Sequence, residues 1–250
     1  MVFSDTVTLQ GLCQETDFLV GTSSTDYTLA QKARNANRWN ERATSLILQS
    51  DGKMEWDDYN QTDLPVGTMA LVANQQDYSP NEAGLLKITK IECKDASGNW
   101  NVLKQIDKSQ FKNQAMDEYQ DVAGDPREVD FVGNTFMLYP KPSFASADGL
   151  KIHYQRIPSY FTASDTTKEP GFAPIFHRYL SFGMALDWAM AHNMTTKITI
   201  FRDEIQKLEQ GIVEFYSSRN RDFKNTITLE QESYSGDSEE GESSVDWSLN

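Results

Sequence analysis

A chain of 250 residues with 23 basic and 37 acidic side chains, net charge −14, is long enough to bury a sizeable core. It is too acidic to hold nucleic acid by neutralising phosphates or to settle on an anionic membrane surface. Its two cysteines, Cys13 and Cys93, leave no room for a disulfide framework or a CxxC zinc pair and are expected as buried small hydrophobes, which fits a reducing compartment.

The first residues carry neither the basic stretch nor the apolar run of a secretory leader, and no apolar run of about 18 residues occurs, so a soluble, unexported protein is expected. Residues 4–20 show a moderate helical pattern in Val7, Leu9, Leu12, Cys13, Phe18 and Leu19, with Ser4 or Asp5 as cap and Gly21 as stop. A stronger pattern from Thr28 to Ser50 runs through Leu29, Ala33, Ala36, Trp39, Ala43, Leu46 and Ile47, and Asp51-Gly52 is read as its end. On another face Arg34, Arg38 and Arg42 recur every four residues. Like charges so spaced repel unless an acidic surface faces them, so the stripe is read as either a solvated face or half of an interface.

After Gly52 the period becomes strand-like for roughly a hundred residues. Candidate strands are Lys53 to Trp56, Gly67 to Val72, Asp77 to Tyr78, Leu85 to Cys93, Trp100 to Lys104, Val129 to Val132, Thr135 to Tyr139 and Leu150 to Arg156. Ser97-Gly98-Asn99 and Gly133-Asn134 are hairpin turns, which predicts antiparallel pairing. Asp107 to Met116 reads as a short helix capped by Asp107, and Pro158 to Gly171 as the polar return to the helical layer.

From Pro174 to Met194 apolar residues occupy most sides of a helical wheel, so a helix buried on nearly every face is expected, with Asn193 and Thr195 as stop and restart. From Lys197 to Tyr216 the seam Ile198, Phe201, Ile205, Leu208, Ile212 and Phe215 lies on an otherwise charged helix, Glu209 being placed on the wet side. So short a turn predicts an antiparallel pair. From Thr226 onward seven acids stand without any Lys or Arg, a composition that stays disordered when free; Tyr234, Val245, Trp247 and Leu249 are its apolar exceptions and read as docking residues.

The expected class is therefore α+β: an antiparallel helical bundle of two N-terminal and two C-terminal helices (about 4–50 and 174–219), a large inserted antiparallel β-region (about 53–160) and a flexible tail at 226–250. Chemistry is hard to find in it. His153, His177 and His192 lack a second ligand at metal-site spacing, and Glu55, Asp57 and Asp58 lack the glycine and spacing of a calcium loop. No phosphate loop, dinucleotide fingerprint, nucleophile elbow or HExxH is present, so no catalytic residue, metal or cofactor is expected.

Four stretches carry a resemblance. They are Leu85-Leu-Lys-Ile-Thr-Lys-Ile-Glu with Gly98-Asn-Trp-Asn-Val-Leu, Gly133-Asn-Thr-Phe-Met-Leu-Tyr-Pro-Lys-Pro, Leu150-Lys-Ile-His-Tyr-Gln-Arg-Ile-Pro, and Phe172-Ala-Pro-Ile-Phe-His-Arg-Tyr-Leu-Ser-Phe-Gly-Met-Ala-Leu-Asp. With the order of elements they resemble the head-to-tail connector (neck adaptor, head completion) proteins of tailed bacteriophages. The resemblance implies a non-enzymatic structural virion protein of the neck, assembled in the host cytoplasm as a ring of about twelve copies. It also implies a portal protein above, a tail or stopper protein below, DNA passing through without sequence-specific binding, and no membrane partner. Residues 1–225 would then be the connector body, and Tyr234, Trp247 and Leu249 of the tail with Arg34, Arg38 and Arg42 its contacts with portal or neighbour. The competing reading is a carbohydrate- or peptide-binding module using Trp56, Tyr59, Tyr78 and Trp100 as an aromatic platform.

Overall fold

The structure is a computed structural model that describes residues 1–50, 60–106 and 122–218. It is α+β. Among the described residues four helices, α1 (Leu12–Val20), α2 (Leu29–Ser50), α3 (Arg178–Ala191) and α4 (Thr195–Ser218), pack on one another, and a 3-10 turn at Pro174–Phe176 leads into α3.

α3 is the buried post that its composition predicts: Tyr179 through Leu186 and Ala189 are all buried. Trp39 of α2 lies against it at Gly183, where an added Cβ would fall 2.3 Å from the indole. Ile175 and Met190, counted in the same apolar pattern, are exposed. Asn193 turns left-handed at φ 55°, as its type allows, and α4 restarts at Thr195, the expected stop and restart, two residues ahead of the seam pattern that begins at Lys197. On α4 Phe201, Ile205 and Ile212 are buried and Ile198 and Leu208 pack beside them. The last seam position is Tyr216 in place of the expected Phe215; the Tyr216 hydroxyl accepts the Ala173 amide at 3.0 Å, while Phe215 lies half out of the core with its ring edge on Phe176.

The first helix begins later than its pattern suggests. The Asp5 carboxylate does not cap a helix; it accepts the Val7 and Thr8 amides at 3.0 Å each and the Thr8 hydroxyl, a local turn that competes with helix. Val7 and Leu9 are consequently exposed, and Gly11 precedes α1 without a side-chain cap. Gly21 closes α1 at φ 74° with its amide on the Asp17 carbonyl, the expected ending.

Among its described residues the β-region forms two four-stranded sheets and a two-stranded one. β1 (Val66–Leu71), β2 (Asp77–Tyr78), β3 (Leu85–Lys94), β4 (Trp100–Val102), β5 (Lys104–Gln105), β6 (Ala123–Gly124), β7 (Glu128–Val132), β8 (Thr135–Tyr139), β9 (Lys141–Pro142) and β10 (Ser146–Arg156) are ordered β1-β10-β3-β4, β2-β8-β7-β5 and β6-β9. Both hairpins read from turn residues are present and antiparallel, with Gly98 at φ 86° and Gly133 at φ 61°. The single strand expected over Trp100 to Lys104 is two. Leu103, buried between them, bonds back to Ile91 of one sheet, and Lys104 then bonds to Arg127 beside the other, so the chain changes sheets at that residue. Two pairings are parallel, against the expected antiparallel rule. β6 and β9 flank the β7-β8 hairpin in sequence and pair through Ala123 with Lys141 and Gly124 with Pro142, while β5 pairs with β7. Leu71, Tyr78, Ile91, Cys93, Val129, Phe136, Leu138, Leu150 and Ile152, from both four-stranded sheets, share one core.

The Asp51-Gly52 stop, the strand Lys53 to Trp56, the carboxylates Glu55, Asp57 and Asp58, the helix from Asp107 to Met116 and the tail from Thr226 lie outside the described residues.

Candidate assembly interface

The arginine stripe faces acid, and the acid belongs to this chain. Arg42 Nε donates to Glu209 Oε1 of α4 at 2.8 Å, and Arg38 lies 3.9 Å from Asp187 Oδ2 of α3. Between them Trp39 Nε1 donates to the same Asp187 oxygen at 3.1 Å, and the Arg42 guanidinium lies over the indole at 5.4 Å. Arg34 donates to the Asn35 side chain at 3.3 Å, and Asn35 in turn holds the Tyr27 hydroxyl at 2.6 Å. One row on α2 thereby fastens α2 to both C-terminal helices. The arginine heads keep an open flank: the Arg38 and Arg42 side chains are 68% and 56% exposed.

Burial sets the electrostatics of the acids behind the stripe. Asp187 has its carboxyl pushed above the usual range by burial, against the pull of Trp39 and the arginines. The Tyr179 hydroxyl donates to Glu209 at 2.9 Å, and burial followed by that carboxylate pushes the phenol upward. Glu209 is therefore not on a wet face. It joins Tyr179 of α3 to Arg42 of α2 with a side chain only 20% exposed. Nothing in the α4 pattern marks this. Asp187 was more legible, as the one charge in the apolar run from Tyr179 to Ala191.

The upper end of the stripe opens on a cleft of about 380 Å³ whose walls include Arg34, Arg38, Asp187, Trp188 and His192. His192 stacks on Trp188 at 3.9 Å. The other histidines are occupied as well: His177 is fully buried between the Phe172 carbonyl at 2.9 Å and the Met1 amino group at 2.7 Å, and His153 faces Glu92 at 3.5 Å. No cluster of three metal-ligating side chains occurs among the described residues. Cys13 and Cys93 are free and buried, and desolvation pushes both thiols up to about 12. No described helix is long and apolar enough to cross a membrane.

Of the aromatic platform, Trp56 and Tyr59 lie outside the described residues, and Tyr78 is a core side chain stacked on Phe136 with its hydroxyl on the Val72 backbone. Trp100 alone of the four is seen at the surface. Tyr234, Trp247 and Leu249 lie outside the described residues.

A family model described as SU10 adaptor protein matches residues 8–235, and so takes in all four helices and every strand. The chain belongs to the SU10 adaptor protein family. The phage head-to-tail adaptor expected from the four sequence stretches is the family found. Among curated proteins no match is found. Within the adaptor, the ion pairs between α2 and the C-terminal helices belong to the body of the fold, and Arg34, Arg38 and Arg42 keep an exposed flank.

Proposed function

We propose that this protein is a head-to-tail adaptor of the virion neck, a non-enzymatic ring component bound to the portal on one side and to a tail or stopper protein on the other, with DNA passing through the centre. The family match over residues 8–235 carries this reading. The net charge of −14 suits a conduit, because an acidic wall repels phosphate and lets DNA slide. Residues 1–225 serve as the ring body. Residues 226–250 serve as an assembly arm, with Tyr234, Trp247 and Leu249 entering apolar pockets of the portal or of a neighbouring copy, and the open flank of the arginine stripe as one landing surface. Purified protein mixed with portal rings tests it by native mass and electron microscopy. A stoichiometric layer of adaptor on the portal is the expected result. A protein that ignores the portal under assembly conditions would reject the reading.

A further inference from the structure

One face of the β1-β10-β3-β4 sheet is basic in an otherwise acidic protein. The inward residues of β3 and β10, Ile91, Cys93, Leu150 and Ile152, are buried, so the alternate residues Lys90, Glu92, Lys94, Lys151 and His153 stand on the outer side. Register brings them together: Lys151 sits opposite Glu92, His153 opposite Lys90, and Trp100 of edge strand β4 opposite Lys94. Glu92 answers three of these groups at once, with Lys90 in direct contact, His153 at 3.5 Å and Lys151 at 3.6 Å. The Lys151 and Lys94 ammonium groups lie over the exposed Trp100 ring at 4.1 and 4.9 Å. The next acid along, Asp95, lies in the β3-β4 turn off this row, accepting the Ser97 and Asn99 amides at 2.9 and 2.8 Å. Three lysines and one carboxylate leave this face positive, whereas the arginine stripe on α2 is matched by Asp187 and Glu209.

We infer that this basic sheet face, with Trp100 at its edge, is the docking surface for the chain's own acidic C-terminal segment, residues 226–250. The inference rests on the assembly-arm reading and names the surface that the arm uses. The segment has seven acids and no Lys or Arg, which gives it a larger net negative charge than other stretches of its length in the chain. Glu230, Glu232 and Tyr234 alternate, so an extended backbone would place two carboxylates and an aromatic ring on one side about 7 Å apart, the repeat at which Lys90 and Lys94 of β3 also share a face. Reach is ample. The 32 residues after Ser218 span up to about 100 Å, against a radius of gyration of about 18 Å for a compact chain of this length, so the segment can land on its own sheet or on that of an adjacent copy. Ionic attraction brings it in, and packing of Tyr234 or Trp247 beside Trp100 holds it.

Zero-length carboxylate-to-amine cross-linking of the full chain at low salt, read by mass spectrometry, tests this. Links from Lys90, Lys94 or Lys151 to carboxylates between Glu230 and Asp246 are expected. They should fall several-fold at high salt and in the double variant Lys94→Glu/Lys151→Glu. As a check that leaves the sheet untouched, a full chain with the seven tail acids changed to amides should show faster acetylation of Lys94 and Lys151. Links spread evenly over Lys104, Lys168 and Lys207, or lysine reactivity indifferent to the tail, would overturn the inference. So would retardation of short duplex DNA by the wild type and not by the double variant, which would make the face a nucleic-acid surface. A double variant that loses its tail links and still joins portal rings at full yield also rejects this surface, while leaving the adaptor reading in place.

Discussion

The Glu209 carboxylate holds the buried Tyr179 hydroxyl and the half-exposed Arg42 guanidinium together. Glu209→Ala strands the phenol without its acceptor and should cost about 1–3 kcal/mol, whereas Lys207→Ala, which loses only an exposed pair with Glu204, should stay within about 0.5 kcal/mol. Chemical denaturation of the two variants checks the contrast, and equal losses would mean that Glu209 points to solvent. His177 supplies a pH dependence whose sign follows from its burial. Desolvation, with the Met1 ammonium adding to it, depresses its pKa from 6.5 to about 4, so the folded state resists a proton that the unfolded chain accepts. Its contribution to stability is intact above pH 6.5 and is lost as pH falls through the window down to about 4, by at most about 3 kcal/mol. Melting temperature should fall across that window in the wild type, and the slope between pH 6.5 and 4.5 should flatten in His177→Gln. An unchanged slope in the variant would assign the loss to other groups.

At the scale of elements, stability concentrates where α4 meets α3. Phe201→Ala or Ile212→Ala should cost about 2–5 kcal/mol by emptying buried volume, and Phe215→Ala, half out of the core, no more than about 1 kcal/mol. Gly183→Ala should destabilise as strongly as a seam truncation, because its methyl would occupy the position of the Trp39 ring and the indole would have to leave Asp187 to make room. Thermal melts rank the four. These elements were legible in advance because periodicity reports burial when one face is apolar: Leu29–Ser50, Thr135–Tyr139 and Thr195–Ser218 carry that signal, while Arg178–Ala191 announced itself by apolar residues on nearly every side. What it missed has physical causes. Two-residue strands such as Ala123–Gly124 and Lys141–Pro142 are too short to show a period, and Leu103 reads as mid-strand although the chain changes sheets there. Polar residues on a buried stripe are equally silent. Lys32 is wholly buried on the core side of α2 because Asp17 of α1 meets it at 2.6 Å, a partner that no local pattern announces. The arginine stripe was visible as a charge pattern, but its partners Asp187 and Glu209 come from residues some 150 positions away, joined to it only by the fold.

On the scale of the whole molecule, an acidic body with its cores filled and its two cysteines buried offers surfaces for assembly. Deleting residues 226–250 should leave the melting temperature of the isolated protein nearly unchanged, since so acidic and Ser-rich a composition buries too little apolar surface to order on its own body, and should impair incorporation into particles. Calorimetry paired with particle yield reads both halves, and a truncated chain that assembles normally would remove the tail from the account. The adaptor role itself is tested most directly by reconstitution on purified portal rings followed by electron microscopy. The account predicts a closed ring of this protein seated on the portal with an open central channel. Rings that stay bare at high adaptor concentration, with the protein remaining monomeric beside them, would contradict it.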